Sequence, residues 1–71
     1  MSLSLAPKQT PLRIVRVQTD ERIAKHLASL GIVEGESVEI VQVRAGSTVL
    51  KVKRGRLALD AAVSKGIEVV A

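Results

Sequence analysis

The chain reads as a small, mainly β domain, a partly open barrel of about five strands with one α-helix after the first strand and a short helical turn before the last. Three observations point there. The chain has 71 residues, with no cysteine and a single histidine, so neither disulfides nor a Cys/His zinc site can staple it and the core must be apolar packing alone. Hydrophobic residues make up 46% of the chain while Phe, Tyr and Trp are all absent. That core is therefore built from Val, Ile, Leu and Ala, and the frequent β-branched residues favour strands. Short apolar runs are separated by Gly-containing turn signals, and closure of such strands into a barrel removes exposed edges.

Residues 1–11 hold both prolines, Pro7 and Pro11, and read as an extended lead-in with Leu3 and Leu5 packing on one side. Residues 12–71 form the single barrel domain. Leu12 to Val17 is the first strand, with Ile14, Val15 and Val17 as its β-branched bulk. Thr19 and Asp20 offer N-cap oxygens, and Asp20 and Glu21 place negative charge at the positive end of the helix dipole. Glu21 to Leu30 is the one clear helix. Ile23, Leu27 and Leu30 recur at i, i+4 and i+7 beside Ala24, opposite Arg22, Lys25, His26 and Ser29.

Gly31 fits the left-handed position after a helix, which would bring Ile32 onto Leu27. Val33-Glu34-Gly35-Glu36 has the pattern of a type II turn, with glycine at its third position. Ser37 to Arg44 and Thr48 to Lys53 are strands joined through Ala45-Gly46-Ser47. The apolar phase of the first slips at Ile40-Val41, which calls for a bulge or for cover on both faces. Gly55 interrupts the pattern, Arg56 to Leu59 makes a fourth strand, Asp60 caps a helical turn from Ala61 to Lys65 closed by Gly66, and Ile67 to Val70 is the last strand.

Lys+Arg of 11 against Asp+Glu of 7 gives a net charge of +4, which favours acidic partners without choosing among protein, lipid headgroup and nucleic acid. The absence of aromatic rings argues against single-stranded nucleic acid, whose bases stack on such rings. No apolar run approaches the roughly 18 residues of a membrane span. The start, Met1 to Pro7, lacks the basic and long apolar regions of an export signal, so the expected compartment is the cytoplasm.

No residue set supports catalysis. A general base needs a positioned partner, and Ser29, Ser37, Ser47 and Ser64 stand singly. His26 reads as a solvated residue of the helix's polar face. Glu34 and Glu36 flank Gly35 but offer fewer oxygens than a hard cation takes, so neither a metal nor a cofactor is assigned. Gly31 and Gly35 lack the Lys-Ser/Thr of a phosphate loop. The candidate binding surface is the basic run Arg44, Lys51, Lys53, Arg54 and Arg56, which contains no acid. As plain structure it is the solvated face of a hairpin whose lysines blunt edge pairing. As a site it attracts an acidic protein face or an anionic membrane, where each cation adds about 1 kcal/mol.

The order of these signals matters. A Leu3-Ser4-Leu5 lead-in precedes Pro7 and the strand Ile14-Val15-Arg16-Val17. Then come Leu27-x-x-Leu30-Gly31-Ile32-x-x-Gly35 with Val38 beyond, Val52-x-x-Gly55-Arg56-Leu57-Ala58-Leu59, and Ile67-Glu68-Val69. Over roughly Leu3 to Val70 this set resembles the FeoA family, the small ferrous-iron-transport protein A. Lys8 and Glu34 stand where that family often has glycine and proline; Glu34 still fits the second position of a type II turn. The resemblance implies an SH3-like barrel and no enzyme. It implies a cytoplasmic accessory protein, peripheral at the inner membrane, that binds the GTP-binding region of a membrane ferrous-iron transporter. The basic run would then supply encounter electrostatics and Ile32 and Val33 the apolar anchor, although these two also qualify as core plugs. Two alternatives remain at this level, a basic barrel that binds nucleic acid and a metal-responsive regulatory module like that of iron-dependent repressors.

Overall fold

A computed structural model describes every residue from Met1 to Ala71. Its elements run β1 (Leu12–Val17), α1 (Glu21–Ser29), β2 (Ser37–Arg44), β3 (Ser47–Val52), β4 (Gly55–Leu59), α2 (Ala61–Lys65) and β5 (Ile67–Val70), preceded by a 3₁₀ turn at Leu3–Leu5. The strands form one antiparallel sheet in the order β4-β3-β2-β1-β5. The sheet is curled: Leu59 of one edge strand and Ile67 and Val69 of the other share a single core with Leu12, Ile14, Val38, Ile40 and Leu50. A flat sheet would hold its edges apart by four inter-strand spacings of about 4.8 Å each. The mainly β, five-stranded, partly open expectation holds.

Two bulges make the curl compatible with the sequence. Pairing of β1 with β5 shifts between Ile14 and Arg16, so Val15 is an extra residue left exposed while Leu12, Ile14 and Val17 all turn inward. Pairing of β2 with β3 shifts between Ile40 and Gln42, which resolves the apolar phase slip at Val41 as a bulge. A bulge raises local twist and bends its strand, and a barrel needs both.

The helix ends follow the local chemistry of the sequence. The Asp20 side chain accepts the Ile23 N–H at 2.8 Å and so caps α1. Thr19 does not share this role: it lies one residue too early to reach the third helical N–H. At the other end the Gly31 N–H donates to the Ala28 carbonyl at 3.0 Å and the Ile32 N–H to the Leu27 carbonyl at 2.9 Å. Gly31 has φ +96°, completing the expected helix stop. The type II turn is also present, with Gly35 at φ +93° and the Glu36 N–H donating to the Val33 carbonyl at 3.2 Å.

The lead-in departs from expectation. Met1 and Ser2 are extended and lie along β5, where the Val69 N–H donates to the Met1 carbonyl at 2.8 Å. Then Leu3–Leu5 coil into a 3₁₀ turn that buries Leu3 completely and leaves Leu5 80% exposed. Side chains two apart share a face of an extended strand but lie about 240° apart around a helix of three residues per turn, so Leu3 and Leu5 cannot pack together.

The β2–β3 connection is a two-residue loop, since Arg44 pairs with Ser47. Ala45 has φ +49° and Gly46 φ +81°, the signs of a type I′ turn. Alanine is strained there, because its Cβ crowds the following carbonyl. We expect Ala45→Asn to raise stability by about 0.5–1 kcal/mol, since asparagine tolerates this region far better. Urea titration of the two proteins reads the gain, and an unchanged midpoint would contradict the strain assignment.

Candidate functional site

The basic run divides in space. Lys51 stands opposite Arg56 across β3 and β4, and Lys53 and Arg54 form the two-residue loop between those strands, closed by the pair Val52 and Gly55. Neither loop residue has positive φ; Gly55, at φ +134°, supplies the backbone irregularity of the reversal. Four cations are thus held within six residues at one end of the sheet. Arg44 is not among them. It pairs with Ser47 at the far end of the same hairpin, five residues along β2 from Glu39, the partner of Lys51, or roughly 17 Å at the usual strand rise.

The four clustered cations are exposed and unpaired. The chain's two ion pairs lie elsewhere, between the terminal amine of Met1 and Glu68 at 3.3 Å and between Lys25 and Glu21 at 3.8 Å. Lys51, Lys53, Arg54 and Arg56 are therefore free to meet an acidic partner, with Glu39 across the ladder from Lys51 and Glu36 beside Lys53 and Arg54 as the nearest acids of this end.

Three of these cations, Lys53, Arg54 and Arg56, rim a cleft. The C-terminal end of α1 faces the β3–β4 hairpin across two adjoining depressions. One, of about 250 Å³, is lined by Ala28, Ser29, Gly31, Val33, Glu36, Lys53 and Arg54. The other, of about 140 Å³, is lined by Ser29, Leu30, Val52, Arg54, Arg56 and Leu57. Ser29 and Arg54 belong to both, so the two form one groove whose lining combines apolar side chains with three cations and one acid, Glu36. The Gly31 reversal creates it, because it turns the chain away from the helix axis and leaves the last helical turn facing the hairpin.

The two apolar anchor candidates separate. Ile32 is 1% exposed and belongs to the core, so it is withdrawn from the docking surface. Its amide is tied back to Leu27 by the helix stop, and this aims the side chain inward. Val33, 37% exposed, faces the groove. Leu30, which continues the apolar stripe of α1, lines it too, together with Leu57, whose other side packs on the core. An i, i+3, i+4 or alternating pattern marks the inward side of an element without showing how completely its neighbours cover it.

Elsewhere no three His, Cys, Asp or Glu side chains converge on a point. His26 is exposed on α1, and its carbonyl accepts the Ser29 hydroxyl at 2.6 Å. No helix is long and apolar enough to cross a membrane.

The family model for the FeoA domain matches residues 1–71. No curated protein matches the chain. Among solved structures, the iron(II) transport protein A of Clostridium thermocellum is 32% identical at a TM-score of 0.88, over 97% of this chain and 44% of that one. The FeoA of Stenotrophomonas maltophilia, solved with zinc, is 30% identical at a TM-score of 0.82, over 99% of this chain and 89% of that one. It is described as a procaryotic SH3 domain protein and a suggested activating factor for bacterial ferrous iron transport. The FeoA protein of Chlorobium tepidum shares the fold at a TM-score of 0.90 with 18% identity, over 97% of this chain and 68% of that one. The chain spans less than half the length of the Clostridium protein it matches.

Proposed function

The chain belongs to the FeoA family, and on that premise we propose that it is an accessory protein of ferrous iron uptake that binds the GTP-binding region of a membrane ferrous-iron transporter on the cytoplasmic side. The family is an accessory family with an SH3-like fold and not one of known enzymes. The observation that carries the docking role is the groove between α1 and the β3–β4 hairpin, where exposed Val33 and half-buried Leu30, Val52 and Leu57 lie beside cations that make no ion pair. The apolar part of the lining gives a partner side chain somewhere to bury, and the cationic rim raises the encounter rate with an acidic surface and fixes its orientation. Arg44, at the other end of the hairpin, contributes only to the long-range field.

Titration of the transporter's isolated GTP-binding domain into the folded protein at low salt tests this. Saturable binding is expected, weakened about tenfold or more by the double substitution Lys53→Glu, Arg54→Glu and progressively masked by added salt. Two folded partners that fail to bind at low salt would sink the reading.

A further inference from the structure

The two edges of the sheet are treated differently. The β5 edge is covered by Met1 and Ser2, through hydrogen bonds in both directions between Met1 and Val69 at 2.8 and 2.9 Å. The β4 edge is bare. It is the last strand of the sheet, and no backbone hydrogen bond joins Gly55–Leu59 to anything but β3. Counting from the closing pair Val52 and Gly55, alternation along an antiparallel ladder aims the backbone groups of Gly55, Leu57 and Leu59 at β3. The N–H and C=O of Arg56 and Ala58 therefore point away from the sheet. The bare edge also borders the groove, since Leu57 and Arg56 line its smaller depression together with Leu30 and Val52.

We propose that β4 accepts an extended acidic segment of the partner as a sixth strand, paired to the backbone of Arg56 and Ala58. The proposal rests on the docking role of this end of the barrel and specifies its geometry. The edge dictates the chemistry of the added strand. Side chains on its inner face fall beside Leu57, over the depression floored by Leu30 and Val52, and must be apolar. Those on its outer face fall beside Arg56, with Lys51 one strand further in register, and must be carboxylates. The segment thus alternates apolar and acidic residues. A second copy of this chain offers no carboxylate opposite Arg56: antiparallel pairing of β4 with β4 over its full length sets Arg56 against Ala58 and diagonal to the other copy's Arg56, although Arg54 then falls opposite Asp60. Arg56 therefore favours an acidic strand over a second copy of β4.

The probe is a capped peptide of alternating glutamate and valine, titrated into the isotope-labelled protein while amide exchange is followed by NMR. Exchange at Arg56 and Ala58 is expected to slow about tenfold or more at saturation, with side-chain shifts at Leu30 and Leu57 and no change in the exchange rate of the already paired Leu57 amide. Ala58→Pro deletes an outward donor without removing a β3–β4 bond and is expected to weaken the peptide about tenfold. Arg54→Glu with Arg56→Glu keeps the backbone intact and is expected to abolish binding, a second arm should the proline variant melt early. Failure of the peptide to bind, or binding with unchanged exchange at Arg56 and Ala58, overturns the added strand. So does protection of those amides that grows with protein concentration alone, which would assign the edge to a second copy. The GTP-binding domain separates this proposal from its premise. Domain binding that survives Ala58→Pro overturns the strand and leaves the adaptor role. Peptide pairing without any domain binding overturns the adaptor role and leaves the edge.

Discussion

Gly66→Ala is expected to destabilise the domain by about 2–4 kcal/mol, lowering the urea midpoint without changing the slope of the transition. Gly66 ends α2 with φ −85°, an ordinary right-handed conformation, so backbone freedom is not the reason for a glycine. The reason is contact. The chain leaving β1 passes directly over it, and the Gln18 N–H donates to the Gly66 carbonyl at 2.7 Å. A Cβ at this position would overlap the Gln18 carbonyl oxygen and crowd its carbon. Both are main-chain atoms, so no rotamer change relieves the clash. The backbones must part, and the hydrogen bond that joins β1 to the start of β5 goes with them. A domain of this size has roughly 4–11 kcal/mol of stability in all, so the variant sits near the threshold of folding. Gly31→Ala is the control: it meets no atom within 4 Å and carries only the strain of φ +96°, about 1–2 kcal/mol. Equal losses in the two variants would show that the close approach at Gly66 is not the dominant effect.

Leu3→Ala is expected to cost about 3 kcal/mol, as much as truncating a leucine from the middle of the sheet, whereas Leu5→Ala should lie within about 0.5 kcal/mol of the parent. Leu3 is 0% exposed and packs in the same cluster as Leu12, Ile67 and Val69, although it precedes the first strand. The 3₁₀ turn pins it there. Its first carbonyl, on Ser2, accepts the Leu5 N–H at 2.9 Å, and the Ser2 hydroxyl donates to the Lys65 carbonyl of α2 at 3.1 Å. The lead-in is therefore part of the core, not a strap laid over a finished barrel. A small loss for Leu3→Ala in chemical denaturation would mean the barrel closes without it.

The reach of sequence reasoning is clearest where the physics is local. Asp20 and Asp60 cap their helices through the third helical N–H, at 2.8 and 2.9 Å, because a carboxylate one residue before a helix has that donor within reach whatever surrounds it. Gly31 and Gly35 take positive φ because their turns require it. The strands β1, β2 and β5 begin and end where their apolar alternation does, and β3 and β4 differ by a single residue at their ends. The ordered spacing of these signals was also enough to point to the family that the domain model matches over residues 1–71.

What was not legible depends on residues far apart in the chain. Gly66 reads as one more helix stop until Gln18, 48 positions earlier, is laid against it. The basic run reads as one patch until the hairpin places Arg44 at the opposite end from Lys51. Leu30 continues the buried stripe of its helix in sequence, yet the fold leaves it only half covered in the lining of a groove. The sequence by itself determined the caps, turns, strand content and all-aliphatic core, since each depends on neighbours within a few residues or on composition. Only the tertiary structure decided which edge is covered, which cations cluster and where the groove opens. Those are properties of surfaces that exist only once distant segments meet, and no local pattern encodes how completely one segment covers another.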